Sequence, residues 1–387
     1  MDDLRLHDFA DASLEEAIRV IEAEIRDEYL QPHSYPWVIG YSGGKDSTLV
    51  AHLVFNVLLA LPKSQRKREV HIVSNDTLVE SPLIIKHIAH SIDQIRDGAH
   101  ALRLPVRTTI TRPAISQTFW VNLIGRGYPS PNRTFRWCTD RMKIQPTSAY
   151  IKSRIEEAKN VILLLGVRRS ESSTRAASVK RYDNGERLNR HNDLVGCLVF
   201  RPIVELTTDD VWEYLGQNDA PWGGDHRKLI KLYRDAGGGE CPVVTQKSDA
   251  PSCGSSSSRF GCWTCTVVDK DRSLEGFVES GFEEFGVLLD FRDWLVSIRN
   301  DPKKRQARRR NGTITITSTG TYVPGPFTMD ARQEILDRLL SIQGGIDVEL
   351  ISIDEIEEIK RLWSEELTAN ASRQASATVD TIKKDKP

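Results

Sequence analysis

Apolar residues along this chain alternate between short continuous runs and longer stretches of helical spacing. Residues 36–41 (PWVIGY), 70–74, 106–111 and 161–166 (VILLLG) have the length and composition of strands buried on both faces. Residues 47–61, 82–102 and 144–158 carry apolar positions at helical spacing. Residues 13–29 do the same behind Ser13, with Glu16 placed as its capping partner. Strand–helix alternation predicts an α/β fold, a parallel sheet with helices on both faces. Ligands in such sheets sit beyond the carboxyl ends of the strands, where strand order reverses.

The rhythm changes after about residue 215. Residues 222–259 are rich in Gly, Ser and Pro, and helical spacing returns at 274–298. A hairpin-like alternation covers 311–322, and helices are expected near 330–340 and 354–367. The reading is an α/β domain over 1–215 and a smaller, mostly helical region bearing a cysteine cluster over 216–367. From 368 to 387 the chain is polar and poor in apolar residues, which predicts a disordered tail.

With 387 residues and 39% hydrophobic content the chain can bury a sizeable core. No apolar run approaches the roughly 18 residues that span a bilayer. Residues 1–11 are polar and acidic, unlike a leader, so a cytoplasmic protein with no membrane partner is expected. Net charge is −1, so any nucleic-acid contact must be a local patch. The run 303–310 (KKRQARRR) reads either as such a patch or as a solvated face.

Chemistry concentrates first at Ser42-Gly43-Gly44-Lys45-Asp46-Ser47, between a strand and a helix. Two glycines let backbone N–H groups turn towards phosphate oxygens, and the helix N-terminus adds partial positive charge. Ser42 and Ser47 add hydroxyls, while Asp46 suits a Mg²⁺ ion or a backbone turn. The spacing is not that of the Walker loop.

Six cysteines form the second concentration: Cys138, Cys197, Cys241, Cys253, Cys262 and Cys265. Cys262-Trp263-Thr264-Cys265 is a CxxC that can aim two thiolates at one metal, and Cys241 and Cys253 complete a four-thiolate shell. Such a shell suits a [4Fe–4S] cluster or Zn²⁺, and spacing does not separate them. Buried inert thiols or a redox pair are the other readings. Cys197 lies in an apolar run and reads as core. Cys138 sits among Arg136, Arg141 and Lys143, a setting that favours thiolate and makes it a further ligand, a persulfide carrier or a core residue beside Trp137.

The loop resembles the SGGxDS motif of the PP-loop ATP pyrophosphatases, which cleave ATP to pyrophosphate and AMP or an adenylate. Gly166-Val167-Arg168-Arg169-Ser170-Glu171-Ser172, Arg136-Trp137-Cys138-Thr139-Asp140-Arg141-Met142-Lys143 and the block 201–215 resemble the phosphoadenylylsulfate reductase branch. That resemblance implies nucleotide contacts from Gly166, Arg168 and Arg169. It also implies catalytic roles for Lys45, Asp46, Arg168, Cys138 and Lys143, with Lys143 and Arg141 placed to stabilise charge on the leaving pyrophosphate. SGGKDS, FRWCTDRMKI, GVRRSES and GCWTCTVVDKD together resemble the DndC-like and SspD-like enzymes of bacterial DNA phosphorothioation. That family implies ATP, Mg²⁺ and an iron–sulfur cluster, with DNA, a cysteine desulfurase as sulfur donor and other phosphorothioation-system subunits as partners. The rivals are a tRNA-thiolating or sulfonucleotide-reducing enzyme and a non-catalytic nucleotide-sensing subunit of a defence complex.

Overall fold

Ser13 caps the first helix, α1 (Leu14–Tyr29), reciprocally with Glu16: the Glu16 N–H donates to Ser13 Oγ at 3.3 Å and the Ser13 N–H to Glu16 Oε2 at 3.0 Å. The computed structural model describes residues 12–236 and 260–384, apart from 172, 183, 184, 317–319 and 321.

Six strands form the main sheet: β1 (Trp37–Gly40), β2 (Val70–Asn75), β3 (Val106–Thr111), β4 (Val161–Leu164), β5 (Leu188–Arg190) and β6 (Cys197–Phe200). Their order is β3-β2-β1-β4-β6-β5, parallel except for β5, which runs antiparallel to β6 at the edge. β1 is where the order reverses, with Trp37 paired to both Val70 and Ile162 and Ile39 to both Ile72 and Leu164. The α/β sheet expected from the alternating pattern is present.

Alternate strand residues feed two cores, as the two-residue period of a strand requires. Trp37, Ile39 and Ile72 join α1, α2 (Lys45–Ala60) and α3 (Pro82–Ala101) on one side. Val38, Val73 and Leu163 join α4 (Gln145–Ala158) and α5 (Ser173–Tyr182) on the other. α2 is buried almost all round, including its first residues Lys45, Asp46 and Ser47.

The first core continues through α6 (Thr208–Gln217), α7 (Arg227–Asp235), α8 (Arg272–Glu279), α9 (Gly286–Ile298), α10 (Met329–Gly345) and α11 (Ile353–Lys384). Trp120, Trp263 and Phe291 meet there with ring centroids 5.8–6.1 Å apart. A small hairpin, β7 (Thr315–Ile316) with β8 (Tyr322–Val323), lies in the segment expected to alternate. Two wide π-helical turns, Val121–Gly125 and Thr139–Ile144, were not legible from periodicity. The first is clasped from the far end of the chain, where Trp363 Nε1 donates to the Ile124 carbonyl at 3.0 Å and Arg332 Nη1 to that of Gly125 at 3.3 Å.

α11 carries helical backbone to Lys384, through residues whose composition predicted a disordered tail. Extending a helix from a packed first turn avoids the nucleation cost, so polar residues can continue it without a core of their own. Among the described residues no helix is long and apolar enough to cross a membrane.

Candidate phosphate and thiol sites

The loop Ser42–Ser47 leaves the carboxyl end of β1 at the point of strand-order reversal. Gly43 takes φ +73°, a left-handed conformation that favours glycine, and a Cβ there would come 2.8 Å from Ile88 Cγ1. His87 Nε2 donates to the Gly43 carbonyl at 2.9 Å. Gly44 is the N-cap of α2 and has no side chain of its own to bond the first amides of the helix. Ser42 Oγ accepts the Gly44 N–H at 3.3 Å and lies 3.1 Å from Ser47 Oγ, which brackets the turn. The Lys45 N–H donates to the hydroxyl of Tyr233, on α7, at 3.2 Å.

Asp46 is buried between two cations. Arg168 Nε lies 2.5 Å from Oδ1 and Lys45 Nζ 3.1 Å from Oδ2. Arg168 Nη1 also donates to the hydroxyls of Ser170 at 2.9 Å and Thr208 at 3.1 Å. Arg168 therefore meets the loop through Asp46, and the carboxylate expected to hold Mg²⁺ or a turn is engaged by Lys45 and Arg168. Burial lowers the Lys45 pKa, and the Asp46 charge opposes that shift. Gly166 explains the close approach: a Cβ there would lie 2.7 Å from the Asp46 carbonyl carbon and 2.9 Å from the Ser47 nitrogen. Arg169 turns instead to Glu205, at 2.7 Å.

A second centre lies beside the first, because β2 is the parallel neighbour of β1 and Thr77 and Glu80 follow its carboxyl end. Glu80 is buried, accepts from Thr77 Oγ1 at 3.0 Å and pairs with Lys143 Nζ at 3.5 Å. Cys262 bridges to Glu80 through its backbone, and its thiol lies 3.8 Å from Glu80 Oε1 and 3.5 Å from Thr77 Oγ1. Lys143 sits in the π-helical turn that begins after Cys138, and Asn75 Nδ2 at the end of β2 holds this turn by the Met142 carbonyl, at 2.9 Å. Such turns concentrate at functional sites.

The thiolate expected at Cys138 is corrected by its surroundings. Burial pushes the Cys138 thiol up to about 11, with neighbouring Cys265 adding to the rise. Lys143 and Arg136 oppose it by less, and Lys143 already faces Glu80. Cys197 is buried in β6 as expected for core, its thiol pushed up to about 12 by burial.

Cys262 and Cys265 are joined by a turn, the Cys265 N–H donating to the Cys262 carbonyl at 2.9 Å. Arg292, buried on α9, anchors the outgoing chain by donating to the carbonyls of Cys265 and Asp269 at 2.9 Å and to that of Val268. Cys241 and Cys253 lie outside the described residues, as does Ser172. Among the described residues no three His, Cys, Asp or Glu side chains form a group that could hold a metal ion. Cys262 and Cys265 are both half-buried, and thiols are donors that suit a thiophilic metal.

Glu80 and Tyr233 were missed by sequence reasoning. For Glu80 the signal was available: a carboxylate just past a strand next to the phosphate-loop strand. Tyr233 gave none, since an aromatic on an amphipathic helix reads as core. The basic run divides: Arg305 is buried and bonded to backbone carbonyls, Lys304 pairs with Glu334, and Arg308, Arg309 and Arg310 are exposed.

A glycine-rich loop entering a helix at the reversal point of a mostly parallel sheet is the arrangement of an α/β fold of the PP-loop type. The chain belongs to the phosphoadenosine phosphosulfate reductase domain family, whose model matches residues 36–268. It is 24% identical over 193 residues to an uncharacterized protein of Methanocaldococcus jannaschii, covering 50% of this chain and 34% of that one. The chain thus spans about a third of the length of this curated relative. Among solved structures it is similar to the phosphoadenylyl-sulfate reductase of Candida auris, with TM-score 0.33 and 13% identity over 58% of this chain and 87% of that one. It is also similar to the U34-tRNA thiolase NcsA of Methanococcus maripaludis, solved with its [4Fe–4S] cluster, with TM-score 0.35 and 11% identity over 73% of this chain and 80% of that one.

Proposed function

We propose that this chain is an ATP pyrophosphatase coupled to sulfur transfer, activating a DNA backbone phosphate for phosphorothioate modification. One observation carries the reading: the N-terminus of α2, whose N-cap is a glycine and which is flanked by Lys45 and Arg168, stands at the strand end next to the one followed by Glu80, which meets Lys143 and the Cys262 turn. Phosphate activation and thiol chemistry are thereby neighbours. In this reading the loop amides and Ser42 and Ser47 hold the β- and γ-phosphates, and Mg²⁺ accompanies the nucleotide. Lys45 offsets the charge that develops as pyrophosphate leaves. Arg168 keeps Asp46, and through it the first turn of α2, in place. A phosphate oxygen of DNA attacks the α-phosphorus and pyrophosphate departs. The outer sulfur of a donor persulfide then displaces AMP, and a thiol cleaves the S–S bond, leaving sulfur on the DNA phosphate and a disulfide on the donor side.

Cys241, Cys253, Cys262 and Cys265 would hold the [4Fe–4S] cluster or Zn²⁺, with Cys138 beside Cys265. Such a cluster supplies redox or sulfur-binding chemistry. Exposed Arg308, Arg309 and Arg310 suit contact with DNA phosphates. A cysteine desulfurase and other phosphorothioation-system subunits are the proposed partners, in the cytoplasm.

Pyrophosphate release from ATP tests the reading, with Ser47→Ala expected to abolish it in a folded protein. Asp46→Ala should abolish it at a cost in stability, since Lys45 and Arg168 then stay buried without their carboxylate. Stimulation by DNA supports the DNA acceptor, and phosphorothioate dinucleotides in host DNA should disappear when the gene is removed. Stimulation by tRNA alone, or turnover of adenylylsulfate, would replace this acceptor by the corresponding one. ATP binding without pyrophosphate release would leave a nucleotide-sensing subunit.

A further inference from the structure

Tyr233 is separated from the phosphate loop by 188 residues, yet its hydroxyl accepts the first amide of α2, the Lys45 N–H, at 3.2 Å. The position is built rather than incidental. The Tyr233 ring is wedged edge-on between Trp212, at 4.8 Å between centroids, and Phe260, at 4.6 Å. Lys45 Nζ lies 5.8 Å from the centre of the same ring and 5.9 Å from that of Trp212. Room for the hydroxyl exists because residue 44 is glycine: a Cβ there would stand 2.9 Å from the phenol oxygen. Burial, with the Asp46 charge behind it, raises the Tyr233 pKa well above 10, so the group on the amide is a neutral oxygen.

A helix N-terminus prefers an anion to a neutral oxygen, because the helix dipole and charge-assisted hydrogen bonds both favour negative charge. We infer that Tyr233 is a residue of the phosphate site, its hydroxyl holding the Lys45 amide until a phosphate oxygen of the nucleotide takes that amide over. The inference rests on the ATP reading above and goes beyond it. It makes α7 a sensor of loop occupancy, since a phosphate on the amide removes one of the hydrogen bonds between α7 and α2, leaving the contact of His52 with His226, the N-cap of α7. Adenosine, which has no phosphate, leaves that bond in place.

Isothermal titration of the full chain with ATP, and separately with inorganic pyrophosphate, tests this in the wild type and in Tyr233→Phe. The variant keeps the packed ring and loses the competing oxygen, so both ligands should bind about fivefold more tightly, the equivalent of one neutral hydrogen bond. Equal or weaker binding in the variant overturns the inference, and general loosening of the fold would not produce a gain. As a second measurement, amide exchange across α7 should quicken in the wild type when either ligand is added and stay unchanged with adenosine. No change with ATP or pyrophosphate overturns the inference. If the wild type binds neither ligand, the phosphate reading of the loop fails and this one with it. If it binds them and Tyr233→Phe does not differ, the role of Tyr233 alone is lost.

Discussion

Arg168 Nε and Asp46 Oδ1 lie 2.5 Å apart, both side chains buried, and this contact fastens the end of β4 to the first turn of α2. The two residues are 122 positions apart, so the pair joins strands on either side of the reversal point. Removing one partner of a buried pair is costly because the other charge remains buried. Arg168→Ala should lose on the order of 3–5 kcal/mol of stability in urea unfolding. Arg168→Lys keeps the charge but not the bonds to Ser170 and Thr208, and should fall between the two. A wild-type unfolding midpoint for Arg168→Ala would show that the pair does not hold the loop.

Gly166→Ala places a methyl against the Asp46 and Ser47 backbone. The loop must then shift, because backbone atoms have no alternative rotamer. Overpacking of this kind costs about 1–3 kcal/mol. Pyrophosphate release should fall far more steeply than stability does. Full activity at unchanged stability would remove the argument that the β4 end sets the loop's shape.

Arg292→Ala leaves the carbonyls of Cys265, Val268 and Asp269 without their shared donor. Buried groups left unpaired cost about 1–3 kcal/mol each, partly recovered where water enters. The expected signature is local: faster alkylation of Cys262 and Cys265, followed by peptide mass spectrometry, with a smaller change at Cys197. Equal rates in the variant and the wild type would mean that the turn holds itself.

His52 and His226 face each other at 3.2 Å in the core between α2 and α7. Burial first, and His226 second, lower the His52 pKa from 6.5 to about 3. Protons therefore bind the unfolded chain more readily than the folded one. The stability tied to this group is complete above pH 6.5 and is lost as pH falls from there towards 3. The slope is at most about 1.4 kcal/mol per pH unit for one such group. Urea unfolding at successive pH values should show it, and His52→Gln should flatten it. An unaltered slope in that variant would assign the acid sensitivity elsewhere.

What could be read in advance follows from how local each signal is. The sheet strands β1 to β4 and helices α1 to α4 are written in hydrophobic period, and the Ser13–Glu16 cap lies within one turn. The phosphate loop is contiguous, so its chemistry is visible in six adjacent letters. By contrast Tyr233 and Arg292 act through partners well away in the chain, and periodicity carries no trace of which helix side chain meets which loop. Cys138 misled for the same reason: its basic neighbours are adjacent in sequence, but its environment is set by burial and by Cys265. The β5–β6 edge and the two π-helical turns escaped because a short strand or one widened turn barely disturbs the pattern.

The clasp on the π-helical turn at Val121–Gly125 has a consequence in time. Trp363 meets the Ile124 carbonyl across 239 positions of chain, and Trp120 Nε1 meets that of Leu350 across 230. At a synthesis rate of roughly 5–20 residues per second, those partners leave the ribosome about 10 to 50 seconds after the segment they secure. Until then Trp120 and the Ile124 carbonyl wait without their cover, a window in which a chaperone has reason to bind.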